Sequence, residues 1–269
     1  NKLYRIEIGS HRGPWGRNLI MIENSVLKAN REGRKATVFA LAFPALYLVE
    51  MAAHVGFDAI SIDGEHGAFP EDAIDDICRV SNALGMSVSA RVPDSAPYQV
   101  NLYLDRGIQG VTGPHINSGA EAQALADACL FPVEGRRSWG GGRGTEFNDQ
   151  TVLDEKYGGK LGFAKWSNDN MIVVAQIEDK KAWDNLDDIL AVPGLTGVTG
   201  GPHDFAQSLG HPGQPDHPDR IAATLDVETR ARAAGKIAGG DLSTGTGIAE
   251  LMLGEARAFV AAHRNDKLG

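Results

Sequence analysis

The stretch FDAISIDGEHGAFPEDAIDDICRVSNALGMSVSAR (57–91) holds two short β-rich runs separated by a helical pattern. The runs are Phe57–Asp63 and Met86–Arg91, and the segment between them is long enough for a helix of several turns. A strand, a helix and a second strand in this order predict a crossover unit with two parallel strands.

The same alternation extends over nearly the whole chain. Several of the runs are apolar on both faces, as strands covered by helices on a parallel sheet are. The predicted strands are Ala36–Ala42, Phe57–Asp63, Met86–Arg91, Gly107–Thr112, Met171–Glu178, Leu195–Gly200, Lys236–Asp241 and Arg257–Ala262. Eight strands separated by helices predict a TIM (β/α)8 barrel that forms one domain over residues 1–269. A doubly wound open sheet is the alternative, but no G-x-G-x-x-G follows the first strand.

Three segments fall outside the repeat. Leu19–Gly33 predicts an extra helix before the first strand, placed to plug the bottom of the barrel. Residues 131–169 form a long connection rich in Gly and Arg, and connections of that length are often functional lids. Only His263–Gly269 follow the eighth predicted strand, so we expect no eighth helix.

Composition limits the classes of partner. The 269 residues include 35 acidic and 26 basic side chains, and the formal net charge of −9 disfavours nucleic acid and anionic membranes as partners. Cys78 and Cys129 lie on apolar helix faces, which predicts buried free thiols in a reducing compartment. No signal-like run or membrane-length apolar stretch occurs, so the cytoplasm is the default expectation.

Reactive side chains collect at four predicted strand ends. The segments are IDGEHG (62–67), SARVPD (89–94), AQIED (175–179) and GGPHDFA (200–206). Barrel enzymes place their catalytic groups at this rim. The segments bring together Asp63, Glu65, His66, Arg91, Gln176, Glu178 and Asp204.

Four of these residues also have a purely structural explanation. Asp204 could be a helix N-cap, and Glu178 could lie in the first turn of a helix, where negative charge is favourable. A lone Arg91 would more often form a surface ion pair, and a lone His66 an ordinary hydrogen bond. Their convergence on one rim favours a functional site.

The chain resembles the HpcH/HpaI family of class II pyruvate aldolases from about Asn30 onward. The resemblance rests on IDGEHG (62–67), ARVPD (90–94), GRRSWG (135–140), QIED (176–179) and GGPHDFAQSLGHPGQPDHP (200–218), in that order. It implies that Glu178 and Asp204 bind a divalent ion and that Arg91 holds the oxo oxygen. It also implies that His66, oriented by Asp63, transfers protons while Gln176 supports the pocket.

The chemistry of the residues agrees with these roles. A cation held by two carboxylates suits Mg²⁺ or Mn²⁺, with Co²⁺ able to substitute, and keeps positions open for a 2-oxo acid. The backbone amides within Gly200–Asp204, at a helix start, could receive the substrate carboxylate, which makes Gly201, Pro202 and His203 candidate substrate-binding residues. Arg137, in the Gly-rich connection, is expected to close over an anionic group.

Two departures from the family pattern concern the aldehyde side. His115 adds a polar group near the rim, and Asp241 stands where relatives often carry an apolar side chain. Both are candidate acceptor-side residues for a hydroxylated or cationic aldehyde. The expected bare eighth strand predicts a homo-oligomer, from dimer to hexamer, in which a neighbour covers it.

Other functions stay open on the sequence alone. An oxaloacetate decarboxylase or a CoA-ester lyase could use the same enolate, and a non-catalytic barrel could sense an oxo acid. A lysine Schiff base is disfavoured, because Lys35 and Lys236 precede their strands and Lys180 and Lys181 lie in the first turn of a helix.

Overall fold

The computed structural model describes residues 21–267, and its centre is a sheet of eight parallel strands. The order across the sheet is β7-β6-β5-β4-β3-β2-β1-β8. Strands that are consecutive in the sequence therefore lie side by side, except for β7 and β8, which lie at opposite edges. The strands are β1 Ala36–Leu41, β2 Ala59–Asp63, β3 Ser87–Arg91, β4 Gly110–Gly113, β5 Ile172–Ile177, β6 Gly197–Gly200, β7 Ile237–Ala238 and β8 Ser243–Gly247. The predicted TIM-type barrel architecture is confirmed.

Helices flank this sheet, and several of them cover its outer face. They are α1 Ser25–Arg31, α2 Leu46–Val55, α3 Glu71–Ala83, α4 Pro97–Asp105, α5 Gly119–Cys129, α6 Gln150–Tyr157, α7 Lys160–Asp169, α8 Lys180–Asp184, α9 Leu186–Leu190, α10 Pro202–Ser208, α11 Pro218–Ala233 and α12 Ile248–His263. In α3 the apolar residues fall on one face, where Ile74, Ile77 and Cys78 are fully buried against the strands. Cys78 and Cys129 are both buried and free, as predicted.

The extra N-terminal helix closes the end of the barrel at which the strands start. Asn24 caps α1 by accepting from the amide of Val26, and its side-chain amide donates to the carbonyls of Gln109 and Asn170 at 3.0 Å. Gln109 directly precedes β4 and Asn170 lies two residues before β5, so α1 plugs the start end of the barrel, as predicted. Residues 19 and 20 of the predicted helix lie outside the described residues.

The eighth strand was predicted in the wrong place. Arg257–Ala262 belongs to α12, and the strand that pairs with β1 is β8, Ser243–Gly247, with Ala36 opposite Ser243. The sequence STGTG of β8 has little apolar character. The apolar segment FVAA, which was predicted to be part of the strand, lies in the 16-residue helix α12. The expectation that an eighth helix is missing was therefore also wrong.

The connection between the last two strands is unusually short. Lys236–Asp241 was predicted as the seventh strand, but only Ile237–Ala238 pair with β6, and a 3-10 turn over Gly239–Asp241 leads to β8. A parallel crossover normally contains a helix. Here β7 and β8 instead form the two edges of the sheet, each paired with a different neighbour.

The long connection lies at the end of the barrel opposite its expected place. It is largely ordered, with a 3-10 helix over Arg143–Asn148 followed by α6 and α7. Lys156 donates to the carbonyl of Met21 at 2.9 Å, which places this segment beside the α1 plug. The reason is topological: a connection from a helix to the next strand returns to the strand starts, away from the catalytic rim. None of the helices in the described range is long and apolar enough to cross a membrane.

Candidate active site at the rim

Side chains from four neighbouring strands meet where those strands end. Asp63 and Arg91 are the last residues of β2 and β3 and lie opposite each other in the sheet register. His115 follows β4 by two residues, and Glu178 follows β5 directly. The parallel register thus brings together groups that are far apart in the sequence.

Arg91 is fixed by two carboxylates. Its Nε and Nη2 donate to the Asp63 carboxylate at 2.9 and 2.6 Å, and its Nη1 lies 2.8 Å from Glu65 Oε2. This bidentate pairing holds the planar guanidinium in one orientation. Burial raises the pKa of Asp63, but the hydrogen bonds and charge of Arg91 outweigh it and hold that pKa below its ordinary value.

Asp63 does not orient the ring of His66 as expected. Among the described contacts, the Asp63 carboxylate accepts from Arg91 and from the main-chain amides of Glu65 and His66, at 3.2 and 3.3 Å. The His66 imidazole is 65% exposed, and its Nε2 lies 4.0 Å from Glu65 Oε2. Asp63 therefore shapes the turn that presents His66, while the ring faces the solvent side of the rim.

Glu178 is the most deeply buried carboxylate of the rim, with 1% of its surface exposed. Its Oε2 accepts from Gln176, and a Cβ on Gly201 would collide with that same oxygen. Only glycine at position 201 allows the loop after β6 to approach so closely. Asp204, half-buried in the first turn of α10, completes this corner.

The two carboxylates fit a divalent cation. Burial raises the pKa of Glu178 above its ordinary value, and the nearby charge of Asp204 raises it further, which means that the two negative groups repel each other. A hard cation bound by oxygen ligands would remove this repulsion. Glu178 and Asp204 are the residues that would hold it.

His115 links the two sides of the rim. Its Nε2 lies 3.0 Å from Glu65 Oε1, its Nδ1 lies 3.1 Å from Glu178 Oε1, and its main-chain amide donates to the same Glu178 oxygen at 3.0 Å. Glu65 consequently contacts both Arg91 and His115. The sequence placed Glu65 at the rim but assigned it no role; its position in IDGEHG was the available signal.

Two predicted substrate contacts lie elsewhere. Arg137 is buried and donates to Ser167 Oγ, Leu104 O and Gly144 O at 3.2 to 3.3 Å. Its guanidinium also lies 4.4 Å from the centroid of the Phe131 ring. Arg137 is therefore part of the packed long connection at the start end of the barrel, and the expectation that it closes over substrate was wrong.

Asp241 is also remote from the rim. It lies between β7 and β8, and its carboxylate accepts from Arg232, in the last turn of α11, at 2.9 and 3.1 Å. The hydrogen bonds from Arg232 lower the pKa of Asp241. Because α11 ends at the side where strands start, Asp241 faces away from any aldehyde at the rim. His203 does lie at the rim, exposed next to Asp204 in α10.

A separate His–His–Asp cluster lies at the start of α11. The rings of His211 and His217 stack with centroids 3.4 Å apart, and His211 Nε2 lies 3.0 Å from Asp219 Oδ2. His217 Nδ1 accepts from the Asp219 amide and so caps the helix. This cluster therefore has a structural role at a helix start.

Comparison with known proteins agrees with the fold described above. The family profile described as HpcH/HpaI aldolase/citrate lyase matches residues 35–267. The chain belongs to this family. The HpcH/HpaI profile therefore covers all eight strands and every rim residue described above.

Curated relatives match over most of their length. They include 4-hydroxy-2-oxovalerate aldolase from Rhodococcus jostii, 35% identical over 88% of this chain and 88% of the relative. Hydroxypyruvate/pyruvate aldolase from Roseobacter denitrificans is 32% identical, with 88% and 90% covered. 2-Keto-3-deoxy-L-rhamnonate aldolase from Escherichia coli is 30% identical, with 90% and 87% covered. All three are aldolases, so this HpcH/HpaI family member is a carbon–carbon lyase.

Solved structures show the same fold. An HpcH/HpaI aldolase from Desulfitobacterium hafniense superposes with a TM-score of 0.77 at 24% identity, covering 93% of this chain and 99% of that one. A family member from Burkholderia cenocepacia gives 0.78 at 24% identity, covering 90% and 100%. These likenesses establish the barrel architecture of the chain.

Proposed function

We propose that this chain cleaves 4-hydroxy-2-oxo acids into pyruvate, or a related 2-oxo acid, and an aldehyde. The observation that carries the proposal is the buried Glu178 beside Asp204, on the same rim as the fixed guanidinium of Arg91. The names of the aldolase relatives agree with this reaction. Class II aldolases use a divalent metal ion, and for this chain we propose Mg²⁺ or Mn²⁺, with Co²⁺ as a substitute.

Cleavage removes the proton of the 4-hydroxyl group and breaks the bond between C3 and C4. The fragment that keeps the 2-oxo group becomes an enolate, which regains a proton at C3 to give the 2-oxo acid. The ion held by Glu178 and Asp204 supplies positive charge beside the oxo oxygen when bound. The residues of the chain must then position the substrate and move the proton.

Each rim residue receives a role in this scheme. Arg91, immobilised by Asp63 and Glu65, stabilises the negative charge that develops on the enolate oxygen. His66 is exposed at the rim, and an imidazole can both accept and donate a proton, so it serves as the proton carrier. Gln176 supports Glu178, and the segment Gly201–His203 receives the substrate carboxylate. His115 faces the acceptor side.

The alternative reactions are less well supported. An oxaloacetate decarboxylase or a CoA-ester lyase could form the same enolate, and a non-catalytic barrel could bind an oxo acid. The curated relatives named above are aldolases instead. A CoA-ester lyase would need a basic groove for the coenzyme phosphates, and Arg137 of the Gly- and Arg-rich connection is buried.

Two nearly isosteric substitutions test the proposal. We expect Glu178→Gln and Asp204→Asn each to abolish both Mn²⁺ binding and release of pyruvate, because each removes a charged ligand without changing the size of the side chain. Asp216→Asn, in an exposed loop residue, is the matched control and should behave as the wild type. Retention of Mn²⁺ binding and turnover in both site variants would refute the proposed site.

We also propose that the chain forms a homo-oligomer through α12. From Ala249 onward every residue of this helix is exposed, including large apolar side chains such as Leu251, Met252 and Phe259. On α2, the helix that follows the strand next to β8, Tyr47 and Met51 are exposed as well. Two apolar helix faces left bare in one protomer suit mutual coverage by a second copy of the chain.

A further inference from the structure

The main chain at His115 adopts an uncommon conformation. Its φ of 52° lies in the left-handed region, which is strained for a non-glycine residue and persists only where surrounding contacts enforce it. The Asn117 side chain donates to the His115 carbonyl at 3.0 Å, and the Asn117 carbonyl accepts from Asn185 at 2.8 Å. The turn after β4 is thus held in place from outside the rim.

This backbone conformation places two nitrogens of His115, the main-chain amide and the ring Nδ1, close to the same oxygen of Glu178. The His115 amide and ring Nδ1 lie 3.0 and 3.1 Å from Glu178 Oε1. The ring is anchored at its other nitrogen by Glu65 Oε1 at 3.0 Å, and Glu65 in turn pairs with Arg91. A side chain that is 58% exposed is therefore immobilised between two carboxylates.

The two oxygens of Glu178 consequently have different surroundings. Oε1 is occupied by His115, while Oε2 accepts from Gln176, lies against Gly201 and faces the loop that carries Asp204. A carboxylate that can rotate freely would have to be ordered each time a cation binds. Groups that orient a ligand in this way are typically worth about 10- to 100-fold in metal affinity.

We propose that His115 is a positioning residue that fixes the Glu178 carboxylate for cation binding, with Oε1 held and Oε2 directed toward Asp204. The proposal rests on the proposed role of Glu178 as a metal ligand. His115 then acts on the metal side of the rim as well as on the acceptor side. Glu65 holds both His115 and Arg91 in place.

The test is Mn²⁺ affinity, measured by calorimetry or by electron paramagnetic resonance on the full chain without substrate. His115→Gly removes the ring, keeps the amide and suits the left-handed backbone, so the variant should fold, which its melting temperature checks. We expect its Kd for Mn²⁺ to rise about tenfold or more. His54→Ala, which removes an exposed histidine from the last turn of α2, should leave the Kd unchanged.

A conservative variant separates positioning from folding. His115→Asn tolerates the same backbone conformation and retains one side-chain donor, so its Kd should lie between those of the wild type and the Gly variant. A Gly or Asn variant that binds Mn²⁺ as tightly as the wild type would overturn the proposal while leaving the metal site intact. Failure of the wild type itself to bind Mn²⁺ would overturn the proposed function as well.

Discussion

At the scale of single residues, the rim is built from charged groups that hold one another in place. Asp63 and Glu65 hold Arg91, and Glu65 and Glu178 hold His115, so two cationic or polar groups are each clamped between carboxylates. Such preorganisation means that little reorganisation is needed when negative charge develops in the substrate. His66 differs from these groups because its ring is exposed and its contact with Asp63 is through the main chain.

This difference leads to a prediction for His66. We expect His66→Ala to lower kcat by roughly a hundredfold to ten-thousandfold while KM changes little, because a proton carrier acts in the transition state. Steady-state release of pyruvate measures both constants, with His54→Ala as the control. A rise in KM of the same size at unchanged kcat would reassign His66 to substrate binding.

The sequence was sufficient to locate the rim but not its internal contacts. IDGEHG, SARVPD and QIED each lie at the end of a strand, and parallel strands bring their ends together, so the grouping of Asp63, Arg91 and Glu178 could be predicted. The pairing of Asp63 with Arg91, in place of the His66 ring, depends on side-chain directions at the ends of β2 and β3. The left-handed backbone at His115 leaves no signal in the sequence, since non-glycine residues in general rarely adopt it.

At the scale of elements, the errors came from segments with weak or misleading patterns. The strand β8 is made of Ser, Thr and Gly, and its apolar successor α12 was mistaken for it. The long connection was expected over the rim because of its Gly and Arg content. Its position between a helix and the next strand, which fixes it at the opposite end, is the stronger criterion.

The revised position of Arg137 changes what its substitution should do. The side chain is buried and donates to Ser167 and to two main-chain carbonyls, and burial lowers the pKa of its guanidinium to about 10. We expect Arg137→Ala to lower the free energy of unfolding by about 2–4 kcal/mol, since charged hydrogen bonds are lost and buried carbonyls are left unpaired.

Denaturant unfolding measures this loss, and steady-state kinetics provides the functional comparison. KM for an anionic substrate should stay within about twofold of the wild type at a temperature where the variant is folded. Arg136→Ala, which removes a largely exposed neighbour, is the control and should cost little stability. A large rise in KM with unchanged stability would restore the substrate-closing role that the structure argues against.

At the scale of the whole molecule, α12 is the feature that a single protomer does not explain. The absence of an eighth helix was the basis for predicting an oligomer, and that basis was wrong because α12 is present. The exposed apolar face of α12 nevertheless leads to the same expectation. We expect light scattering at micromolar concentration to give the mass of a dimer or a larger assembly. The double variant Met252→Asp, Phe259→Asp should shift the mass toward that of the monomer.

Both substituted side chains are at least half exposed in the protomer, so the variant should fold normally. Leu161→Asp, which changes an exposed apolar residue on α7, is the control and should leave the mass unchanged. An active wild-type monomer under the same conditions would show that α12 needs no partner.

The central claim is that this barrel cleaves a 4-hydroxy-2-oxo acid with the help of a divalent ion at Glu178 and Asp204. The most direct test is release of pyruvate from a panel of such acids, including 4-hydroxy-2-oxovalerate, before and after exhaustive treatment with EDTA. We predict equal amounts of pyruvate and aldehyde from at least one acid, loss of the reaction after EDTA, and recovery when Mg²⁺ or Mn²⁺ is added. Undiminished turnover after EDTA, or no pyruvate from any acid in the panel, would contradict the account.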